Sequence, residues 1–264
     1  MHSDTSAITV TILGSGTCVP SLKRSACAAL VRVGNTRILV DSGPGTMHRL
    51  LQADTSIFEL THVCYTHLHP DHTGELVPLI FATKYPDMDR RTRPLTICAG
   101  VGFGRFFKGL QQVYGAWIDL PPGMLRLMEL NITGPDQLRF DEFSVHTLPV
   151  EHNPESLGFR ITANNGKSVV FSGDTDYSDN LVSLARGADL LICESALPDE
   201  QKVSGHLTPS LAGRIASLAG VGKLVLTHFY PECEHADIRR QCRQTYAGPL
   251  VLAEDLMNFE LTAA

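Results

Sequence analysis

Residues 66–74 read Thr-His-Leu-His-Pro-Asp-His-Thr-Gly, and they follow the apolar, β-branched run 61–65. That run predicts a buried strand, and the helical pattern after residue 74 places the histidines in the connection between strand and helix. Side chains alternate along extended chain, so we expect His67 and His69 to point the same way. Together they can hold one metal ion.

The second half of the same stretch adds an acid and a third histidine. Asp71 and His72 lie just before the predicted helix, where the chain turns, and they can face a second ion. Burying so many polar rings in a core would be costly without a ligand. Imidazole and carboxylate groups suit zinc, and also manganese or iron. The stretch therefore predicts a metal site.

Three other predicted strands end at a residue of the same type. Because strand ends in α/β proteins meet at one edge of the sheet, we expect these side chains to converge with the histidine stretch. The strands and the residues that follow them are Glu142–Val150 before His152, Ser168–Phe171 before Asp174, and Lys223–Thr227 before His228.

The wider pattern predicts an α/β fold in which two sheets pack together with helices outside them. No repeat and no linker divides residues 1–264, which favours a single domain. The segment Pro86–Pro94 reads as a charged loop. The other predicted strands are Ile8–Leu13, Ala29–Val33, Thr36–Val40, Leu95–Ala99, Gly158–Thr162, Asp189–Cys193 and Leu250–Ala253. The predicted helices are Thr46–Ala53, Gly74–Tyr85, Phe103–Tyr114, Asn180–Ala185, Pro209–Ala219 and Ile238–Tyr246.

The composition of the chain disfavours some classes of partner and some cellular locations. The formal net charge of −6 disfavours a long polyanion held mainly by charge. No run is long and apolar enough for a membrane span, and Met1–Ala7 lacks the pattern of a secretory signal. The seven cysteines form no C-x-x-C pair, which favours buried thiols in a reducing cytoplasm.

The histidine stretch resembles the signature of the metallo-β-lactamase superfamily, and later motifs follow in that superfamily's order. The segments Leu13–Thr17 and Asp41–Thr46 resemble its ribonuclease Z-like branch. The resemblance covers nearly the whole chain and implies a four-layer αββα sandwich. It also makes a homodimer possible, since homodimers are common among similar proteins. It also implies a first ion bound by His67, His69 and His152, a second bound by Asp71, His72 and His228, and Asp174 bridging both.

The same resemblance assigns catalytic roles. Glu194 and His206 match a Glu and a His that this branch carries between its last two metal motifs. His206 would protonate or stabilise the leaving oxygen, and Glu194 would orient its ring. Asp71 would orient the attacking water or hydroxide or take its proton, and two divalent ions would make this nucleophile available at neutral pH. The alternative is that Glu194 and His206 only hold a loop in place.

These parts favour hydrolysis of a small phosphodiester or nucleotide. Only 21 residues separate His152 from Asp174, too few for the long arm that many tRNA-processing relatives insert there. RNA is therefore a less favoured partner, and tRNA 3′-end processing is an alternative. Lys23 and Arg24 are either phosphate contacts or, as we favour, solvated loop charges. Hydrolysis of a lactone, thioester or sulfate ester, and iron-dependent redox or cofactor-handling chemistry, stay open.

Overall fold

The computed structural model describes residues 7–84 and 91–262. Strands form where the sequence is β-branched and apolar, and most of the central ones are buried on both faces, as expected of strands covered on each side. The strands are β1 Ile8–Gly14, β2 Ala28–Val33, β3 Thr36–Val40, β4 His62–Tyr65, β5 Leu95–Gly100, β6 Leu125–Leu130, β7 Asp136–Arg139, β8 Phe143–Pro149, β9 Leu157–Ala163, β10 Ser168–Phe171, β11 Leu190–Glu194, β12 Leu224–Thr227, β13 Leu250–Leu252 and β14 Asn258–Leu261.

Helices fill the connections between strands. The α-helices are α1 Thr46–Gln52, α2 Pro70–Thr73, α3 Leu76–Lys84, α4 Phe103–Tyr114, α5 Asp179–Ala185, α6 Pro209–Ala219 and α7 Ile238–Arg243. Short 3-10 helices span Ile57–Glu59, Gly115–Ile118, Asp199–Gln201 and Pro231–His235. Helix α6 matches its prediction because proline begins it and the left-handed Gly220 (φ 62°) ends it. Among the described residues, no helix has the length and apolar character needed to cross a membrane.

Two seven-stranded sheets make up the centre of the fold. The first has the order β14-β1-β2-β3-β4-β5-β6, and the second has the order β13-β12-β11-β10-β9-β8-β7. Strands β3 to β6 run parallel to one another, and so do β10 to β13. The carboxyl ends of β4, β8, β10 and β12 carry the predicted metal-binding residues, as expected from the sequence.

Buried side chains form two layers of core. One apolar cluster joins inward faces of both sheets, such as Val10 and Phe159, to the helices outside the second sheet. The other covers the outer face of the first sheet, where Leu50, Leu79 and Phe103 of three helices pack. Helix, sheet, sheet and helix thus succeed one another, and the predicted αββα sandwich is confirmed.

The sequence prediction missed three strands. Strands β6 and β7 lie at the ends of the two sheets, and β14 pairs antiparallel with β1, so that Ile8 faces Leu261. The chain therefore does not close with the strand predicted at Leu250–Ala253. The predicted loop Pro86–Pro94 lies largely outside the described residues, as do Tyr85 of the predicted third helix and the first six residues of the N-terminal segment.

All seven cysteines are free thiols. Cys64, Cys98, Cys193, Cys233 and Cys242 are buried. They behave as small apolar side chains, as the sequence predicted.

His62 predicts a pH dependence of stability. Its ring packs edge-on against Phe140 and Phe143, with centroids 4.5 and 5.0 Å away, and burial lowers its pKa from 6.5 to about 4. Between pH 6.5 and 4 the His62 ring is protonated in the unfolded chain but not in the folded chain. The free energy of unfolding therefore falls as the pH drops toward 4. We expect this group alone to remove about 2–3 kcal/mol across that window.

Chemical denaturation in the presence of a chelator, at several pH values, measures this effect. In His62→Gln the free energy of unfolding should fall less steeply as the pH drops. In His48→Gln, which changes an exposed position, it should fall as steeply as in the unaltered chain. Equal slopes in the unaltered chain and in His62→Gln would contradict the prediction.

Candidate metal centre

The ends of strands from both sheets meet at one edge of the sandwich. The loop after β4 supplies residues 67–72, and the loops after β8, β10 and β12 supply the other three predicted ligands. Among the described residues, four groups have ligand atoms that all lie within 4.8 Å of one another, and two of them together contain the predicted ligands. The first group is His67, His69, His152 and Asp174, and the second is Asp71, His72 and His228.

Asp174 lies between the two groups. Its Oδ2 is 3.6 Å from His67 Nε2 and 3.9 Å from His152 Nε2, while its Oδ1 is 3.2 Å from His72 Nε2 and 3.3 Å from His228 Nε2. One carboxylate thus faces rings of both groups with separate oxygens. This is the arrangement expected of a bridging ligand.

The cluster contains polar atoms with no hydrogen-bond partner. They include His67 Nε2, His72 Nε2, Asp174 Oδ1 and both ring nitrogens of His228, all fully buried. Buried polar atoms are normally satisfied, so several such atoms facing one another point to a missing ligand. Imidazole nitrogens and carboxylate oxygens are donors that divalent zinc, manganese and iron accept, so the residues fit such an ion.

Three of the ring nitrogens that face away from the cluster have partners. Asp41 Oδ2 lies 2.8 Å from His72 Nδ1, Thr66 Oγ1 lies 3.1 Å from His67 Nδ1, and His152 Nδ1 donates to the carbonyl of Gly205 at 2.8 Å. Such contacts fix which ring nitrogen carries the proton, and they leave Nε2 free to bind a metal. Asp41 also accepts the backbone and hydroxyl hydrogens of Thr66, both at 2.9 Å.

The backbone around the cluster is close-packed and locally strained. A side chain on Gly43 would overlap the carbonyl oxygen of Asp71, and a Cβ on Gly173 (φ 59°) would come within 2.8 Å of Thr66 Cβ. Asp41 (φ 59°) and His228 (φ 60°) adopt the left-handed conformation that residues with side chains rarely take. Strain of this kind persists where the surrounding structure holds a functional group in place.

The electrostatics of the first group favour neutral rings. Burial and the neighbouring His72 ring lower the pKa of His67 to about 2, and burial lowers the pKa of His69 and His152. A neutral imidazole is the form that binds a metal. Burial opposes the charge of Asp71, but its contact with His228, at 3.6 Å, and the charge of His72 lower its pKa to about 2.

Glu194 and His206 form a pair beside the two groups. Glu194, buried at the end of β11, accepts from His206 Nδ1 at 3.0 Å and from the backbone of Thr175 at 2.7 Å. Burial opposes the charged form of His206, but the Glu194 bond and the charges of Glu194 and Asp174 outweigh it and raise its pKa. The ring lies parallel to His228 at a centroid distance of 5.7 Å.

Asp176 anchors the loop that carries His206. Its Oδ2 accepts from Lys202 Nζ at 2.7 Å and from the backbone of Gly205 at 3.1 Å. Gly205 in turn accepts from His152, so the loop supports both His152 and His206. Asp176 and Asp41 are the supporting residues that the sequence prediction did not assign. Their signal was weak, since each is one acid after a strand whose partner lies far along the chain.

Arg24 is not the solvated loop charge that the sequence favoured. Its guanidinium donates to Glu234 at 2.9 Å, to Ser15 Oγ at 2.7 Å and to the carbonyl of Ala253 at 2.6 Å, and it stacks over Phe229. It therefore ties the loop after β1 to the segment after His228. Lys23 is exposed and pairs with Glu234 at 3.5 Å.

Comparison with known proteins identifies the family. The family model described as a β-lactamase superfamily domain matches residues 36–229. A ribonuclease Z from Mycobacterium bovis is 28% identical over 278 aligned residues, covering 96% of this chain and 98% of that protein. Another ribonuclease Z, from Archaeoglobus fulgidus, is 26% identical and covers 96% of this chain and 97% of that protein.

Solved structures agree with this assignment. The metallo-β-lactamase fold protein YhfI from Bacillus subtilis superposes with a TM-score of 0.83 at 25% identity, covering 96% of this chain and 99% of that one. The short form of human tRNase Z superposes with a TM-score of 0.76 at 28% identity, covering 95% and 98%. The chain belongs to the metallo-β-lactamase superfamily of hydrolases, in its ribonuclease Z-like branch.

Proposed function

We propose that the chain is a phosphodiesterase that uses two divalent metal ions. The first ion would be held by His67, His69 and His152, and the second by Asp71, His72 and His228, with Asp174 shared between them. Zinc fits this donor set best, and manganese and ferrous iron are the alternatives. The buried nitrogens that lack partners support the proposal.

Divalent ions at these positions supply Lewis acidity, which activates water and neutralises charge on a phosphoryl oxygen. The protein's own groups do the rest. Asp71 stays ionised at neutral pH because its pKa is near 2, so it can orient the attacking water by accepting its hydrogen. Glu194 holds the Nδ1 hydrogen of His206, which leaves Nε2 as the nitrogen that can pass a proton to the leaving oxygen.

The Glu194–His206 pair is the observation that carries the diester assignment. An alkoxide leaving group needs a proton, and the bond to Glu194, which raises the pKa of His206, favours the protonated ring that could supply it. Opening a lactone or a thioester depends less on such a donor. The pair also lies against Asp174, with His206 Nδ1 4.0 Å from its Oδ2, so donor and metal groups can act on one bond.

The surroundings of the site favour a small substrate. A pocket of about 530 Å³ opens beside His152, and Glu151, Asp176 and Asp179 are among its lining residues. Lys202 pairs with Asp176, but Glu151 and Asp179 still make the lining less favourable to a substrate with many negative charges than to one with a single charge. Only β9 and β10 with a tight turn lie between His152 and Asp174, so no arm extends from this part of the described chain.

Cleavage of tRNA precursors is the second candidate. Two relatives that match over nearly their whole length are ribonucleases Z, and this supports the same chemistry on a larger diester. Single-domain organisation, homodimer formation and a cytoplasmic location stay predictions.

Turnover of a substrate panel tests the proposal. Purified zinc-loaded protein should hydrolyse bis(p-nitrophenyl) phosphate and a cyclic nucleotide, leave a lactone intact, and lose diester activity after chelation. Absence of diester turnover by metal-replete protein would refute the proposal. More efficient cleavage of a tRNA precursor than of small diesters would establish the second candidate, and redox-active iron as the native metal would favour non-hydrolytic chemistry.

A further inference from the structure

His69 faces the cluster with a different nitrogen from its neighbours. Its Nδ1 lies 3.3 Å from His152 Nε2, whereas the other rings of the first group point Nε2 inward. Its outward nitrogen is therefore Nε2. That atom lies 3.0 Å from Nδ2 of the Asn153 side chain.

Three groups form a hydrogen-bonded chain that runs in one direction. His152 donates from Nδ1 to the carbonyl of Gly205, so its Nε2 is bare and accepts the Nδ1 hydrogen of His69. The bare Nε2 of His69 then accepts from the Asn153 amide.

Metal binding requires the opposite state of His69. Nδ1 must lose its hydrogen to become a ligand, and a neutral ring then carries its proton on Nε2. That Nε2–H needs an acceptor, and a half-turn of the Asn153 amide replaces its nitrogen with its oxygen. An amide side chain can therefore serve either tautomer of the ring from the same place.

We propose that Asn153 is a positioning residue for His69, whose side-chain oxygen accepts the Nε2–H of His69 and so leaves Nδ1 free to bind a divalent metal ion. The inference rests on the proposed metal centre. The backbone of Asn153 is well held for this role, since its N–H donates to Ser156 Oγ at 3.0 Å and its carbonyl accepts from Ser156 N at 2.9 Å. Pro154 further restricts Asn153 to extended conformations. One short segment thus carries one ligand, His152, and orients another.

Zinc affinity of two variants tests the role. Asn153→Ala removes the acceptor and should weaken binding at the first group by about 10–100-fold, the usual effect of losing a hydrogen bond to a metal-binding histidine. Asn153→Asp keeps an acceptor oxygen and should bind zinc at least as tightly as the unaltered chain. Asn180→Ala is the matched control, because its amide donates to the Pro149 carbonyl at 3.0 Å and touches no ligand.

Chelator competition measures each affinity, and ¹⁵N NMR of the zinc-loaded protein should show His69 protonated at Nε2. Equal affinity in the unaltered chain and Asn153→Ala, equal weakening in both Asn153 variants, or a proton on Nδ1 would overturn the inference. If the unaltered chain itself binds no zinc, the proposed metal centre fails instead. Binding of two ions with no effect of Asn153→Ala refutes only the role of Asn153.

Discussion

Replacing Asp174 with asparagine should lower metal content from two ions per chain to one at most and reduce kcat/KM for a diester by at least about 1000-fold. One preorganised electrostatic group commonly contributes about 100- to 1000-fold to catalysis, and Asp174 faces both ligand groups. Its two oxygens lie 3.2–3.9 Å from four histidine nitrogens, so losing its charge affects both ions together. Asparagine keeps the shape, which separates charge from packing.

Metal analysis after gel filtration and steady-state kinetics on bis(p-nitrophenyl) phosphate measure this effect. Asp141→Asn changes an exposed acid away from the cluster and should leave both quantities unchanged. Two tightly bound ions in Asp174→Asn would contradict a bridging role for this carboxylate.

His206→Ala should reduce hydrolysis of a diester with an alkoxide leaving group by about 100- to 10,000-fold, the range typical of general acid–base catalysis. The loss should be much smaller for bis(p-nitrophenyl) phosphate, because p-nitrophenolate leaves without a proton. Glu194→Gln should show the same dependence on leaving group, since Glu194 acts through the ring at 3.0 Å. Adding Glu194→Gln to His206→Ala should then reduce the rate of hydrolysis little further, because the two groups act as a unit.

Kinetics on a cyclic nucleotide and on the aryl diester provide the comparison, with His48→Ala as the control at an exposed histidine. Equal losses on both substrates would show that His206 maintains the structure of the site rather than donating a proton. Unchanged metal content in His206→Ala would separate its role from that of the ligands.

The sequence was most informative where a local pattern determines position. A strand end followed by His or Asp gave His152, Asp174 and His228, and the structure brings all three to the edge that holds His67–His72. This succeeded because the carboxyl ends of parallel strands share an edge whatever lies between them. The assignment of these residues as ligands stays a prediction until metal is measured.

Edge strands were harder to predict. Strands β6 and β7 each end a sheet, and their exposed positions carry polar residues such as Arg126 and Arg139 that weaken the β pattern. Strand β14 pairs with β1 across most of the chain, with Thr11 opposite Asn258. No local pattern in the sequence predicts a pairing between two strands so far apart along the chain.

Supporting contacts were missed for the same reason. Asp41 follows β3 and contacts His72 across 31 positions, and Asn153 contacts His69 across 84 positions. Each depends on the final packing, so the sequence could show the residues but not their partners. Arg24 was misjudged because two of its three acceptors, Glu234 and Ala253, lie 210 and 229 residues away.

The ligand groups draw on both sheets. Residues 67–72 follow a strand of the first sheet, while His152, Asp174 and His228 follow strands of the second. An ion held by both sets would link the two sheets at this edge. Zinc would therefore stabilise the folded chain against separation of the sheets as well as support chemistry. In a nascent chain the link through the first ligand group would become possible once Asp174 has been made and the link through the second only after His228, so both depend on residues made long after β4.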